Sequence, residues 1–305
     1  MHREKPTISI IIINKNDGVA ETLASLLRIA VPAPTETIVV DASAPDSTKA
    51  VREAHPEATW IQFTPKPGPK SSIPEQRNAG LETARGDILV FIDASCVPGH
   101  DWLVDLTAPI MSGREFITAG SVVSLDPRTH VNIQPPTMKA EYLTSCATIN
   151  LAFARSVYDH VGPLDESFHY GSDVDFAWRC INAGYKIRFV PKATVSHDWG
   201  DRQSEIKRIY KYGRAKAVLY AKHPDRAKPG VDDIFLPIYV TYILALPITL
   251  LLPWYPLTIL LLMAKNWRHQ PVKTVYMHLI FASGFIRQGA AILVARTPRI
   301  TPRSA

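Results

Sequence analysis

The run Ile8-Ser9-Ile10-Ile11-Ile12-Ile13-Asn14, close to the start of the chain, decides how the rest of the sequence is interpreted. β-Branched residues favour strands, and a strand that is apolar at almost every position is typical of one buried on both faces. The run is too short for the apolar region of a signal peptide, and no small-residue cleavage site follows it. It therefore predicts the first strand of a sheet that is covered on both sides.

The pattern continues outward from this strand. Further strands are predicted over residues 37–40, 59–63 and 87–92, and helices over residues 20–30 and 74–84. This alternation predicts an α/β domain with a mostly parallel central sheet. Asn14, Asp41 and Asp93 end three of the strands, and ligands bind at the carboxyl ends of strands in such sheets. We therefore expect a site at this edge.

The second part of the domain is predicted to hold strands near residues 116–125 and 148–153 and a helix over 172–183, closed by Gly184. Two short strands are expected near 186–190 and 193–197. No glycine-rich G-x-G-x-x-G pattern follows the first strand, which argues against a dinucleotide-dependent oxidoreductase. We place the domain boundary at about residue 200.

Charge divides the chain at the same place. Of 34 basic and 28 acidic residues in total, residues 1–200 carry 18 and 23, whereas residues 201–305 carry 16 and 5. The net charge of +6 therefore combines an acidic first part with a strongly basic tail. A basic tail without a recognised motif or interleaved stacking aromatics indicates a membrane-facing segment rather than a nucleic-acid-binding one.

The tail is predicted to contain two kinds of segment. Residues 201–230 hold a basic amphipathic helix over 204–222, which is a solvated surface helix, a contact for anionic lipid head groups, or a contact for a substrate pyrophosphate. Residues 231–305 form a membrane-associated region, because residues 234–264 carry no charge. One or two spans are expected, about 235–263 and 274–295, the second being a span or an in-plane amphipathic helix.

Polar clusters occur in order along the predicted domain. They are Asn14-Lys15-Asn16-Asp17; Asp41-Ala42-Ser43; Gln76-Arg77-Asn78 with Asp93-Ala94-Ser95; and Ser172-Asp173-Val174-Asp175 with His197. Taken singly, each also fits an ordinary structural role, such as a turn cap or a favourable charge at a helix start. Their order in one α/β domain favours a shared site.

The order and spacing of these clusters resemble family 2 glycosyltransferases with the GT-A fold, over roughly residues 6–200. The resemblance implies a nucleotide-diphosphate sugar donor and an inverting reaction, with Asp173 as general base. Asp93 and His197 would hold a divalent cation, Mg²⁺ or Mn²⁺. The residues that the resemblance assigns to the nucleotide sugar are Asn14, Asn16, Asp41, Arg77, Asp93 and Ser95.

Such chemistry explains the residue types. A cation held by carboxylate oxygen neutralises the charge that develops on the leaving diphosphate, and a positioned carboxylate takes the proton of the acceptor hydroxyl. Ser95 departs from the family pattern, because it replaces the second carboxylate of the Asp-x-Asp motif. The cation is then held by Asp93, His197 and the diphosphate, or basic residues such as Lys211 and Arg214 contact the diphosphate and replace part of its charge.

The basic helix and apolar tail resemble membrane-attached family members of exopolysaccharide and cell-wall pathways. This implies a lipid-linked or other membrane-proximal glycan acceptor, membrane lipids as partners, and an inner or plasma membrane location with the catalytic domain facing the cytoplasm. The widely spaced Cys96, Cys146 and Cys180 favour a reducing compartment, which agrees with the cytoplasmic placement. The alternative is a catalytically silent membrane scaffold or partner subunit. Ser95 leaves this alternative open, because it replaces a carboxylate of the Asp-x-Asp motif. A processive polymerase is a weaker enzyme alternative.

Overall fold

The computed structural model describes residues 6–16, 18–66, 73–125, 133–199, 202–227, 235–265 and 270–296. The chain divides into two compact units, Met1–Trp199 and Gly200–Ala305. The strands of the first unit are β1 (Ile8–Asn14), β2 (Thr35–Asp41), β3 (Thr59–Gln62), β4 (Ile88–Asp93), β5 (Cys96–Pro98), β6 (Ile117–Ser124), β7 (Tyr142–Leu143), β8 (Asn150–Ala154) and β9 (Ile187–His197).

The helices of the first unit lie between these strands and cover both faces of the sheet. They are α1 (Val19–Leu26), α2 (Pro45–Ala54), α3 (Ile73–Thr83), α4 (Trp102–Met111), α5 (Arg155–Val161) and α6 (Ser172–Asn182). Successive side chains of a strand point to opposite faces. Accordingly, Ile10 and Ile12 join one core cluster with residues of α1 and α4, whereas Ile11 joins another with residues of α3, α5 and α6. The apolar run at 8–13 thus packs on two sides, as expected.

The sheet runs in the order β3-β2-β1-β4-β8-β6-β9-β5, and β7 pairs with β9. The strands from β3 to β4 are parallel to one another, as the sequence predicts. Beyond β4 the sheet is mixed, because β8 pairs antiparallel with both β4 and β6. The expected parallel pairing thus runs from β3 to β4 and occurs again between β6 and β9, which are parallel to each other. An antiparallel neighbour needs no helical crossover, so the irregular stretch before β8 is sufficient to connect it.

A single strand, β9, replaces the two short strands predicted near 186–190 and 193–197. Its register with β6 shifts between Gly120 and Ser121, so a bulge rather than a break absorbs the residues around Pro191. Asn150 holds the bulge by donating from Nδ2 to the carbonyls of Ser121 and Ala193, both at 2.9 Å. Bulges of this kind re-aim the residues that follow them, here the last residues of β9.

The second unit is helical, and the segment 235–263, predicted as a first span, is not one continuous helix. Its helices are α7 (Arg202–Lys222), α8 (Phe235–Leu244), α9 (Ile259–Lys265) and α10 (Pro271–Arg296). Between α8 and α9 lie two 3-10 turns, Leu246–Leu250 and Tyr255–Thr258, so no continuous helix covers 235–263. Pro247, Pro253 and Pro256 explain the interruption, since proline removes a helical hydrogen bond. Among the described residues, the one helix long and apolar enough to cross a membrane is Pro271–Ala295.

Candidate active site

The predicted strand-end residues meet at one edge of the sheet. In the parallel ladders, Asn14 of β1 is in register with Asp41 of β2, and Ile13 is in register with Asp93 of β4. The three polar residues therefore end adjacent strands on the same side. This is the edge at which parallel α/β sheets bind ligands.

Asp41 organises the loop that follows β2. Its Oδ1 accepts from Asn14 Nδ2 at 3.0 Å and from the Ser43 amide at 2.9 Å. Its Oδ2 accepts from Thr48 Oγ1 at 2.6 Å and from Arg52 Nη2 at 2.9 Å. These hydrogen bonds outweigh the burial of the carboxyl group and lower the pKa of Asp41 from 3.8 to about 2. The side chain is fully buried and ionised at neutral pH.

Such a carboxylate offers about four lone-pair positions, and all four are used. A nucleobase N–H would have to displace one of the present donors to bind Asp41. Asp41 positions Asn14 and Ser43, and the Asn16 amide in turn donates to Ser43 Oγ at 2.7 Å. Recognition of the base by Asp41 stays a prediction.

The loops after β1 and β4 are tied to each other. Ser95 Oγ accepts the Gly18 amide at 2.9 Å. Asn16 and Ser95 both have a left-handed backbone, with φ of 59° and 65°. Non-glycine residues in this region are uncommon and concentrate at functional sites. The Ser95 hydroxyl thus joins the two loops that border the site.

Arg77 lies between two carboxylates that the sequence places far apart. Its Nη2 donates to Asp93 Oδ1 at 2.7 Å. Its charge also acts on Asp173 and lowers the pKa of that group, whereas Asp93 raises it. Arg77 is almost fully buried, and its Nε has no hydrogen-bond partner among the described atoms. A buried donor without a partner is rare unless a ligand or water molecule accepts its hydrogen bond.

Asp173 is the second residue of α6, which begins at Ser172 after the N-cap Gly171, a residue with a left-handed backbone. Its Oδ1 accepts the Val174 amide at 2.9 Å. Burial raises the pKa of Asp173 above the usual value of 3.8, and the nearby Arg77 only partly opposes this. A carboxylate whose pKa is shifted towards neutral is better suited to accept a proton near neutral pH. The structure therefore brings Arg77, Asp93 and Asp173 together from α3, β4 and α6.

The predicted cation ligands are Asp93 and His197. His197 ends β9 in register with Cys96 of β5, which is three residues past Asp93, and its ring packs on Trp199 with centroids 4.6 Å apart. Within the described ranges, no group of three or more His, Cys, Asp or Glu side chains is arranged to hold a metal ion. Asp93 keeps 30% of its side chain exposed. The residues fit a cation shared between Asp93 and substrate phosphates, which is the usual way that Mg²⁺ is bound, and not a preformed cage.

Lys211 and Arg214 lie on α7 of the second unit. Arg214 Nε and Nη2 donate to Gln288 Oε1 of α10 at 3.1 Å and 3.0 Å. Contact of these cations with a diphosphate stays a prediction.

Sequence reasoning did not single out several residues that position the site. Arg52 and Gln62 complete the loop around Asp41, since Gln62 Nε2 donates to the carbonyls of Asp41 and Ser43. Asn78 exchanges hydrogen bonds with the backbone of Leu164 at 2.9 Å in both directions, and so fastens the helix of Arg77 to the segment before α6. The only sequence signal for Asn78 was its place beside Arg77. Arg52 carries no motif and is identified by its contacts alone.

Comparisons with known proteins bear on the family and the fold of this chain. The family model "Glycosyl transferase family 2" matches residues 7–163. A pre-mycofactocin glycosyltransferase of Mycobacterium tuberculosis is 28% identical over 252 residues, covering 75% of this chain and 50% of that protein. Glycosyltransferase AglE of Haloferax volcanii is 24% identical over 230 residues, covering 70% of this chain and 74% of that protein.

A similar fold occurs in the mannosyltransferase PcManGT from Pyrobaculum calidifontis, solved in complex with GDP-Man and Mn²⁺. The two structures align with a TM-score of 0.64 at 17% identity, covering 96% of this chain and 88% of the other. The chain spans about half the length of the mycobacterial relatives that it matches. The likeness to PcManGT concerns the GT-A fold.

Proposed function

This chain belongs to glycosyl transferase family 2, and on that premise we propose that it transfers a sugar from a nucleotide-diphosphate sugar to an acceptor hydroxyl with inversion. The observation that carries the proposal is the grouping of Arg77, Asp93 and Asp173. Arg77 contacts Asp93 at 2.7 Å and acts electrostatically on Asp173. A phosphate-facing cation and a proton-accepting carboxylate are the two groups that such a transfer needs.

In the proposed reaction, the acceptor oxygen attacks the anomeric carbon and its proton passes to Asp173. The bond from that carbon to the diphosphate oxygen breaks, and the nucleoside diphosphate leaves with the electron pair. Arg77 stays buried beside the leaving group and holds Asp93 in place through its Nη2. A divalent cation shared by Asp93, His197 and the diphosphate would supply further neutralisation of the leaving charge.

The acceptor in this proposal is a lipid-linked saccharide or another membrane-proximal glycan, as in exopolysaccharide or cell-wall synthesis. The uncharged stretch 234–264 supports attachment to a membrane. The buried free thiols of Cys96, Cys146 and Cys180 support a reducing compartment, and hence a catalytic domain on the cytoplasmic side of the inner or plasma membrane. Lys211 and Arg214 are proposed as diphosphate contacts.

The test separates donor binding from transfer. Full-length protein is titrated with UDP-, GDP- and dTDP-sugars, including GDP-Man, with and without Mn²⁺, and donor turnover is measured for the sugars that bind. We expect Asp173→Asn to retain donor binding and to lose turnover by a factor of roughly 10²–10⁴, the usual contribution of a positioned general base. Asp159→Asn is the matched control, because Asp159 is an exposed carboxylate on α5.

Equal turnover of the Asp173→Asn and wild-type proteins would remove Asp173 from the role of base. Donor binding without turnover by the wild type, under every donor and acceptor condition, would favour the catalytically silent scaffold instead. Absence of binding for the whole panel would contradict the proposed transfer.

A further inference from the structure

The uncharged segment of the second unit folds back on itself. From α8 the chain passes through the 3-10 turns Leu246–Leu250 and Tyr255–Thr258 to α9, and we name residues 235–265 the apolar hairpin. The turn residues Leu250 and Leu251 are 87% and 85% exposed, and Trp254 is 65% exposed. Exposed apolar patches this continuous mark an interaction surface. The other exposed large apolar residues of the hairpin are Phe235, Leu244, Leu246, Ile248, Leu252, Leu257, Leu260 and Leu261.

Four backbone amides of this exposed tip are paired with carbonyls inside the tip. The amides of Leu251 and Leu252 both donate to the Ile248 carbonyl, at 2.9 Å and 2.8 Å. The Tyr255 amide donates to Leu252 and the Leu257 amide to Trp254, each at 2.9 Å. The prolines at 247, 253 and 256 have no amide hydrogen to satisfy. Each amide paired in this way lowers the cost of placing the tip in hydrocarbon, where no water accepts its hydrogen bond.

Two tyrosines close the hairpin. The rings of Tyr242 and Tyr255 stack with centroids 5.6 Å apart. Tyr242 Oη donates to the Pro256 carbonyl at 3.1 Å and Tyr255 Oη donates to the Tyr242 carbonyl at 3.2 Å. Their hydroxyl groups therefore satisfy carbonyls that the broken helix would leave unpaired. No charged side chain lies between Asp233 and Lys265. A charged protein surface could therefore form no ion pair with this segment.

The length of the hairpin limits how deep it reaches. The ten residues of α8 extend about 15 Å at 1.5 Å per residue, about half of the ~30 Å hydrocarbon core of a bilayer. After α8 the chain turns back through the tip. The hairpin is long enough to enter one leaflet and too short to cross both.

The longest apolar helix, α10, is not available as an isolated span, because a charged helix packs on its middle. Gly213 of α7 contacts the backbone of Phe281, and Gly284 of α10 contacts the backbone of Tyr210. Lys207, Lys211 and Arg214 are exposed on α7. If the middle of α10 lay at the bilayer centre, these charges would lie in or near the hydrocarbon, which is costly. At the surface of an anionic membrane the same charges are favourable.

We propose that the apolar hairpin inserts into one leaflet of a lipid bilayer as a re-entrant element, with α7 and α10 lying together at the head groups. The second unit then attaches the protein to one face of the membrane without crossing it. This attachment does not depend on the proposed sugar transfer, and it replaces the one or two spans expected from hydropathy by a single inserted turn.

Labelling of single cysteines tests the topology in membranes of cells that express the full chain. Asp225→Cys precedes the hairpin and Val272→Cys follows it, and both positions are exposed. The three native thiols are buried and give little background with an impermeant maleimide. We expect both cysteines to react from the same side of sealed vesicles, and Leu251→Cys to react only after detergent is added. Labelling of residues 225 and 272 from opposite sides would show that residues 235–263 cross the bilayer, and would overturn the proposal.

Flotation of the purified chain with vesicles of phosphatidylcholine and phosphatidylglycerol tests the insertion itself. We expect the double variant Leu250→Glu/Leu251→Glu to reduce the partition coefficient at least about 100-fold, because each charge in the hydrocarbon is strongly unfavourable. Leu27→Glu is the matched control, since Leu27 is 66% exposed in the first unit. Equal flotation of the double variant and the control would refute insertion of the tip. If the wild type does not float and instead forms a soluble protein complex, the apolar hairpin binds protein and the proposal is refuted. Donor turnover is measured separately, so the outcome of this test does not depend on the proposed sugar transfer.

Discussion

Replacing Asp41 by asparagine isolates the contribution of the most heavily bonded carboxylate in the protein's site. Asparagine keeps an oxygen for Asn14 and for the Ser43 amide, but its amide group meets the donors Thr48 and Arg52 where Oδ2 accepted their hydrogen bonds. The ionised form of Asp41 is favoured by the fall of its pKa from 3.8 to about 2. At about 1.4 kcal/mol per pKa unit, this corresponds to about 2 kcal/mol of folding stability at neutral pH.

The way this stabilisation depends on pH follows from the lowered pKa of Asp41. Because the folded pKa lies below the unfolded one, this stabilisation is complete above about pH 5 and is lost as the pH falls through 4 towards 2. Urea unfolding of the full chain, followed by tryptophan fluorescence, should show the variant less stable by about 2–4 kcal/mol at pH 7. The difference should shrink steadily between pH 5 and pH 3. Asp159→Asn, at an exposed position, should change stability by less than about 0.5 kcal/mol.

The same variant distinguishes two roles in nucleotide binding. If Asp41 acts by positioning Asn14 and Ser43, the affinities for UDP, GDP and dTDP should fall by a similar factor. A changed order of preference among the three would instead indicate direct recognition of the base. Equal stability of variant and wild type at pH 7, or a difference that does not depend on pH, would refute the ionised network described above.

Three further predictions concern the neighbouring residues and the second unit. The acidic limb of the pH–rate profile should lie above the ordinary aspartate pKa of 3.8, because burial raises the pKa of Asp173. Arg77→Gln should move this limb to higher pH, because Arg77 lowers the pKa of Asp173 in the wild type. An unchanged limb in the variant would contradict the assignment of the limb to Asp173. Ser95→Asp should strengthen Mn²⁺ binding measured by calorimetry in the presence of donor by about tenfold or more, since it adds a hard carboxylate oxygen, and weaker binding would exclude Ser95 from the cation site. Gly213→Ala should destabilise the second unit by about 1–3 kcal/mol in thermal unfolding, because the added methyl group meets the Phe281 backbone; Gly289→Ala, whose position is open, is the control and should be neutral or stabilising.

The positions of residues that directly follow parallel strands were predictable from the sequence. Asn14, Asp41 and Asp93 could be placed at one edge because parallel strands end together, and the order of motifs along the chain indicated the same family as the later comparison. Arg52 was not predicted, because a guanidinium on the outside of a helix has no local pattern that distinguishes a partner of Asp41 from a solvated charge. The contact between Arg77 and Asp93 also needed the fold, since they are 16 residues apart and lie on a helix and a strand.

The parallel or antiparallel direction of the later strands could not be predicted from the sequence either. Hydrophobic patterning identifies β8 and β9 as buried strands but carries no information on whether a neighbour runs parallel or antiparallel. The bulge opposite Gly120 depends on the fit of Asn150 and the Ala193 carbonyl against a residue without a side chain. This packing joins what the sequence suggested were two strands.

By itself, the sequence determined that the protein has an acidic α/β domain with polar strand ends, followed by a basic and then an uncharged tail, because these properties depend on local composition and periodicity. Only the tertiary structure decided which charges meet. It fills all acceptor positions of Asp41, places Arg77 between Asp93 and Asp173, and packs basic α7 across the middle of apolar α10. The physical reason is the same in each case: pKa values, cation sites and membrane depth depend on distances between residues that are remote in the chain.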